Sequence, residues 1–214
     1  MKDMKSLLAA CALLLVFGAC GNGQKPKETA VNTKNLVTIT PDMVYCDVIG
    51  PVKRVDNTVF DRSGNIVSVN GTNPFAIEEP YREFDTVTFD YTDFCKWERD
   101  SEGQIKSITC MEGFEEFTWA DGRVVGSVSF MESQKTLTVN EYDAQGRLVK
   151  QIEYNGLEDE EVAPTDEWLF ATTVYTYLEF DSHGNWIRRE AKYIDGNVDF
   201  VSETEEARSI EYYE

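Results

Sequence analysis

The sequence has little of what catalysis and metal binding usually need. His183 is the single histidine in 214 residues, and no Cys-x-x-Cys pair is present. A zinc site or a Ser-His-Asp set would therefore have to depend on this one imidazole. It stands between Asp181 and Gly184 in a turn-like phrase, so we interpret it as an exposed turn residue. No glycine-rich stretch opens a helix after a strand, as a nucleotide site requires. We expect no cofactor, no metal and no catalytic residue.

Positive charge is also scarce. The chain holds 20 Lys and Arg against 39 Asp and Glu, for a net charge of −19. Binding to nucleic acid or to anionic lipid depends on clusters of basic side chains. The longest basic runs here are the pairs Lys53-Arg54 and Arg188-Arg189. We therefore expect no nucleic-acid partner.

Long apolar runs are limited to the N-terminus. Lys2 and Lys5 precede a 14-residue apolar run, Ser6 to Ala19, and Cys20 follows it. The run is too short to span a bilayer, which takes about 20 helical residues. This order is typical of a secretory signal peptide. The alternatives are a cleaved signal with an unmodified cysteine and a short apolar helix of the fold.

The residues before Cys20, Phe17-Gly18-Ala19, resemble the lipobox of bacterial lipoproteins, with Phe17 where leucine is usual. Leu8-Ala9-Ala10-Cys11 fits the four-residue pattern better, but it would leave only five residues between Lys5 and the cut. The resemblance implies that residues 1–19 are a lipoprotein signal peptide and that Cys20 is lipidated. It also implies an anchor in the outer membrane. The residues GNGQK after Cys20 lack the acidic cluster associated with surface export in Bacteroides-type lipoproteins, which favours the periplasmic side. Without residues 1–19 the net charge becomes −20.

Three cysteines follow Cys20, so no complete disulfide framework is expected. Cys95 and Cys110 flank a predicted hairpin centred near Gly103 and could form a disulfide, depending on register. The alternative is that these two and Cys46 are small buried apolar residues.

Four phrases share the form x-Asp-x-x-Gly-x-apolar: FDRSGNI at 60–66, RDSEGQI at 99–105, YDAQGRL at 142–148 and FDSHGNW at 180–186. WADGRV at 119–124 is a shortened relative. The glycine spacings of 39, 19, 24 and 38 approximate one or two units of about twenty residues. The aspartate can accept a hydrogen bond from the backbone two residues on, and glycine adopts a positive φ easily. The predicted turn-forming residues are Asp61, Gly64, Asp100, Gly103, Gly122, Asp143, Gly146, Asp181 and Gly184.

The phrase YDAQGRLVKQIEY resembles the YD repeat of the RHS family, and FDSHGNWIRRE is similar to hairpins of uncharacterised Bacteroides-type lipoproteins. The resemblance covers residues 58–193 with gaps. It implies a hairpin-repeat architecture. It implies no toxin-shell function, since the repeats are too few to enclose a toxin.

The chain beyond the signal divides into two parts. Residues 20–35 carry the lipidation site and read as a flexible tether, and residues 36–214 read as a single β-repeat domain. We predict an all-β fold, an antiparallel meander of about ten to twelve strands that forms a curled sheet or an incomplete barrel. The predicted strands are 52–60, 65–70, 83–90, 94–99, 104–110, 114–119, 123–131, 135–142, 147–154, 169–180, 185–193 and 205–213.

These features favour a non-catalytic, lipid-anchored cell-envelope protein that presents its hairpin-repeat surface to a protein or glycan. One alternative is an envelope carbohydrate hydrolase, which would need two carboxylates held about 5–10 Å apart in a cleft. Another is an immunity-type lipoprotein that neutralises a toxin, for which a strongly acidic face would speed capture.

Overall fold

The structure is a computed structural model, and it describes residues 39–214 as an antiparallel β protein within one compact unit. The predicted signal peptide 1–19, the lipidation site Cys20 and the whole of the predicted tether, residues 20–35, therefore lie outside the described residues. Within residues 39–214 no helix has the length and apolarity to cross a bilayer.

The described chain contains one short α-helix, one 3-10 turn and fifteen strands. The elements are α1 (Pro41–Tyr45), β1 (Val52–Val55), β2 (Thr58–Phe60), β3 (Ile66–Val69), the 3-10 turn Pro74–Ala76, β4 (Tyr81–Asp85), β5 (Asp90–Phe94), β6 (Lys96–Arg99), β7 (Ile105–Cys110), β8 (Gly113–Ala120), β9 (Arg123–Met131), β10 (Gln134–Tyr142), β11 (Leu148–Leu157), β12 (Leu169–Phe180), β13 (Trp186–Asp195), β14 (Val201–Ala207) and β15 (Ile210–Tyr212).

Three sheets account for all of these strands. The largest has nine strands in the order β14-β13-β12-β11-β10-β9-β8-β7-β6, so each strand pairs with its sequence neighbours. A four-stranded sheet runs β15-β1-β2-β3, and the hairpin β4-β5 forms a sheet of its own. The nine-stranded sheet stays open, with β14 and β6 at its two edges. The predicted all-β antiparallel meander with a curled sheet is confirmed.

The strand count exceeds the predicted ten to twelve because three predicted strands are each divided in two. The stretch 52–60 reverses at Asp56, 83–90 contains the turn of the β4-β5 hairpin, and 205–213 is interrupted at Arg208. Asp56 and Phe89 hold the left-handed turn positions, with φ of 48° and 57°. Glycine usually marks such positions. Because neither position is a glycine, the two turns were not recognised from the sequence.

The buried hydrophobic core lies between α1, the four-stranded sheet and β7. Its buried side chains are Met43, Val48, Val52, Val55, Phe60, Ile66 and Ile105. Away from this core the nine-stranded sheet is covered sparsely: β10 and β11 contain no fully buried residue. Much of that sheet therefore offers accessible surface on a single layer of strands.

Helix α1 begins where the sequence TPD predicts a helix start. The Thr40 side chain accepts a hydrogen bond from the Met43 N–H at 3.2 Å, and Pro41 occupies the first turn. Both are preferred at helix N-termini. The strand-based interpretation of the sequence missed this helix, although the Thr-Pro pair signals it.

Candidate functional site

The four repeated phrases form the same turn. In each, the aspartate Oδ1 accepts hydrogen bonds from the N–H groups two and four residues on, at 2.8–3.0 Å. The glycine N–H donates to the carbonyl oxygen of the same aspartate, and its φ lies between 81° and 86°. Gly122 has a φ of 70° in the two-residue turn after β8. The sequence-predicted turn residues thus lie in the turns: Asp61, Gly64, Asp100, Gly103, Gly122, Asp143, Gly146, Asp181 and Gly184.

Residues 40–42 connect α1 to two of these turns. The Thr40 hydroxyl donates to the carbonyl oxygen of Gly64 at 2.5 Å. Asp42 is fully buried and accepts from the Ile66 N–H at 2.5 Å and from Arg99 at 2.6 Å. A buried carboxylate is tolerated because both oxygens are paired in this way.

The turn at 181–186 connects to the chain beyond α1. Asn185 is 3% exposed; its side-chain oxygen accepts from the Ile49 N–H at 2.7 Å, and its amide donates to the Ile49 carbonyl at 2.8 Å. The same amide donates to the Tyr212 hydroxyl. Residues 40–49 therefore lie across one face of the nine-stranded sheet, from β6 to β13.

A cleft of about 500 Å³ lies between this segment and the sheet. Its floor contains Phe117, Ser127 and Thr138, which are direct neighbours on β8, β9 and β10. Side chains from β8, β9, β10, β11 and β13 line the same cleft, as expected of a sheet curled around it. The polar and aromatic lining residues are Tyr45, Asp47, Glu115, Phe117, Arg123, Ser127, Thr138, Asn140, Tyr142, Gln145, Gln151, Trp186, Arg189 and Arg208.

Trp186 lines the cleft and contacts two guanidinium groups. Arg208 lies 3.8 Å and Arg189 4.3 Å from its ring centroid, and both distances are in the range of cation–π contacts. Its indole N–H donates to the Asp47 carboxylate at 2.7 Å. Burial raises the pKa of Asp47, although this hydrogen bond and the charge of Arg208 oppose the rise.

The neutral polar side chains of the cleft are held in fixed positions. The Asn140 amide and the Tyr142 hydroxyl both donate to the carbonyl oxygen of Val124, at 3.0 Å and 2.7 Å. The Gln151 amide donates to the Asn140 side-chain oxygen at 3.2 Å. A ligand would therefore meet a preformed row of hydrogen-bonding groups.

Acidic side chains continue along this face. Burial raises the pKa of Glu153 on β11, and the negative charge of Glu115 on β8 adds to the effect. Glu115 also contributes to raising the pKa of Tyr45, after burial. Since β8 and β11 are three strands apart, the effect of the Glu115 charge on Glu153 agrees with a curled surface.

Cys95 and Cys110 form a disulfide with an S–S distance of 2.03 Å, which joins the start of β6 to the end of β7. Cys46 is a free cysteine beside the cleft. Burial, followed by the nearby charge of Asp42, raises the pKa of its thiol to about 12. The thiol therefore stays protonated at neutral pH and is a poor nucleophile.

His183 lies in the turn 181–186, exposed, with its ring stacked on Tyr212 at 3.8 Å. Three of the four tryptophans make contacts within the fold. Trp97 contacts Tyr45 and Phe75 edge to face, and the indole N–H of Trp119 donates to the Ile105 carbonyl. Trp186 contacts two arginines.

The sequence did not indicate Asp47, Arg189, Arg208 or Asn185 as site residues, because they come together only through contacts between distant segments. In the sequence, the only sign of this site was the segment WIRR (186–189), which follows the fourth turn. No protein-family model matches the chain, and no curated protein matches it. The resemblance to YD repeats stays a prediction.

Proposed function

We propose that this chain is a non-catalytic, lipid-anchored protein of the cell envelope, and that the cleft between residues 44–49 and the nine-stranded sheet binds a glycan segment. The observation that carries the binding proposal is the preformed row of neutral hydrogen-bonding side chains in a cleft of about 500 Å³. That volume is within the usual range of small-ligand sites.

The chemistry of the lining favours a hydroxyl-rich ligand. Ser127, Thr138, Asn140 and Gln151 supply donors and acceptors without net charge. Arg189 on one side and Glu115 on the other can bond to ring hydroxyls as donor and acceptor. A polar glycan would replace water at these groups without leaving a charge unpaired.

The lipid anchor is supported by the lipobox-like residues before Cys20 and by the strong excess of acidic side chains, which suits an exported, highly soluble domain. The anchor would hold the domain at the outer membrane, on the periplasmic side, where cell-envelope glycans are available.

One observation favours a hydrolase as the second candidate. Asp47 and Glu115 both line the cleft, and burial raises the pKa of Asp47 toward that of a proton donor. A hydrolase would release shortened products from a bound oligosaccharide, whereas a binding protein would return the ligand intact.

The test is a titration of envelope-derived oligosaccharides, peptidoglycan fragments included, followed by amide NMR shifts of the chain from Cys20 to Glu214. We expect shifts centred on β8–β11 and residues 44–49, and unchanged ligand masses after prolonged incubation. Shortened products that disappear in Asp47→Asn or Glu115→Gln would instead establish the hydrolase.

A matched pair of variants checks the location. Gln145 lies at the cleft, and Gln134 is exposed at the opposite end of β10. Gln145→Trp should obstruct the cleft and weaken binding at least about tenfold, and Gln134→Trp should leave affinity unchanged. Equal affinities of both variants would refute the cleft as the binding site.

A further inference from the structure

The hairpin β4-β5 exposes an unusual amount of apolar side chain. Tyr81 is 38%, Phe84 47%, Val87 84%, Phe89 79% and Tyr91 62% exposed. Contiguous apolar surface of this kind usually marks a site of interaction with a protein or membrane. Such a hairpin alone is only marginally stable in water.

The apolar side chains are concentrated at the free end of the hairpin. Its base lies against the four-stranded sheet, where Thr92 and Phe94 line a cleft with Val59 and Ser68. The other end carries Val87 and Phe89 in the turn between the strands. The hairpin thus presents a convex apolar tip rather than a groove.

The two faces of the hairpin differ in character. Phe84 and Tyr91 pair directly across the strands, with ring centroids 4.8 Å apart, and Phe89 contacts Phe84 edge to face at 6.4 Å. Asp85 and Asp90 pair on the opposite face. Successive side chains of a strand point to opposite faces, so the aromatic cluster is separated from the acidic pair.

Phe89 adopts a backbone conformation that disfavours its side chain. Its φ is 57°, and within residues 39–214 it is the only apolar residue in the left-handed region; the other non-glycine cases are Asp, Asn and Glu. A bulky residue there is strained, and glycine or asparagine would relieve the strain. Backbone strain of this kind occurs typically where function requires it.

We propose that the tip of the β4-β5 hairpin, formed by Phe84, Val87, Phe89 and Tyr91, inserts into the interfacial region of a lipid bilayer. Aromatic side chains concentrate at membrane interfaces, and shallow insertion requires an apolar protrusion and no pocket. A second copy of the chain is a poor occupant, because residues 39–214 keep 37 acidic residues against 15 basic ones.

The electrostatics restrict the type of lipid. The hairpin carries Glu83, Asp85, Asp90 and Asp93 against a single basic residue, Arg82, which already pairs with Asp93 and with Glu112 at 2.9 Å. Zwitterionic lipid is therefore the preferred surface, and anionic lipid should repel the hairpin.

This inference rests on the proposed lipid anchor only for the supply of a nearby membrane. Eighteen residues lie between Cys20 and Ile39, and an extended chain of that length spans up to roughly 65 Å. A membrane that holds Cys20 would raise the effective concentration of the hairpin at that surface.

The test uses the unlipidated chain from Cys20 to Glu214 with Cys20→Ala, so that a failure of the anchor proposal cannot affect it. The probe is a vesicle of phosphatidylcholine and phosphatidylethanolamine in a flotation assay. We expect binding that falls at least about tenfold in the double variant Val87→Ser, Phe89→Ser, and that weakens as phosphatidylglycerol is added.

The control is Val198→Ser, Phe200→Ser, which removes the same pair of side chains at the same spacing from the turn between β13 and β14, where they are 61% and 53% exposed. It should leave vesicle binding unchanged. Phe89→Trp supplies a second readout in a variant that keeps an aromatic ring: its emission should shift to shorter wavelength with vesicles and be quenched by brominated lipid.

Several results would overturn the inference. They are no flotation of the parent chain, an equal loss in the control variant, or a Phe89→Trp emission that does not respond to vesicles. Light scattering that shows a dimer dispersed by the Val87→Ser, Phe89→Ser variant would assign the tip to a second copy of the chain.

Discussion

In the four repeated phrases the aspartate side chain stabilises the turn by accepting two backbone hydrogen bonds. This role follows from the sequence, since the x-Asp-x-x-Gly phrase contains both the acceptor and the residue that tolerates a positive φ. The residues around Trp186 could not be predicted in the same way. Asp47, Arg189 and Arg208 meet there from three different parts of the chain.

At the residue scale, Asp61→Ala should lower the free energy of unfolding by about 1–2 kcal/mol, because the Ser63 and Asn65 N–H groups lose their acceptor. Asp61→Asn keeps an oxygen in place and should lose less. Urea unfolding at pH 7 measures both. Asp166→Ala, which removes an exposed acid that caps no described turn, should change the free energy by less than about 0.5 kcal/mol.

The same turns also make the stability of the fold depend on pH. Burial alone would raise the pKa of Asp61, but hydrogen bonds from Asn65 and Ser63 outweigh it and lower the pKa below its usual value. Because the folded pKa is the lower one, this stabilisation is present above about pH 4 and is lost as the pH falls further. Asp61→Asn should flatten the decline in melting temperature below pH 4. An unchanged decline would show that this turn does not contribute.

Substitution of Phe89, in contrast, is expected to raise stability. Asparagine tolerates a φ of 57° better than phenylalanine, so Phe89→Asn should raise the melting temperature, by an amount equivalent to about 0.5–1 kcal/mol. If the tip inserts into lipid, the same variant should bind vesicles more weakly. A variant that is less stable than the parent would show that the ring packs favourably in the free protein.

At the element scale, α1 and the residues after it connect the turns of three repeats. Asp42→Ala should reduce the free energy of unfolding by about 2 kcal/mol or more, because the Ile66 N–H loses its acceptor in the core and the partly exposed Arg99 is left with the Gly103 carbonyl as its partner. Hydrogen exchange should show faster opening of β3 and β6. A loss below about 1 kcal/mol would contradict a stabilising role for α1.

The Cys95–Cys110 disulfide closes a 15-residue span that includes β6 and β7. Reduction should lower stability by about 3 kcal/mol. The double variant Cys95→Ser, Cys110→Ser should match the reduced parent and should not respond to dithiothreitol. A response of that variant would assign the effect to another cysteine.

Glycine-marked hairpins were predictable, and turns without glycine were not. Strands β7 to β13 start and end within three residues of the predicted strands that they correspond to. The β4-β5 hairpin was read as one strand because Phe89 occupies a turn position without any local signal. The cleft was not predictable, since it requires the curl of the sheet and the course of residues 40–49 across it.

At the scale of the whole molecule, the charge of the chain and the layering of its strands both fit the proposed binding role. The nine-stranded sheet has one well-packed end and a long, partly open surface, and the chain carries a net charge of −19. Strong self-repulsion keeps such a protein soluble. A large accessible sheet supports the proposed binding role, and the proposed lipidation of Cys20 would hold that binding at a membrane.

Intact mass spectrometry of the protein from its native membrane, beside a Cys20→Ala variant, tests this placement most directly. If Cys20 is lipidated, the mature chain begins at Cys20 and carries an added diacylglyceryl mass, and the variant shows no such species. An unmodified chain cut at another position would contradict the lipid anchor and the membrane-bound role built on it.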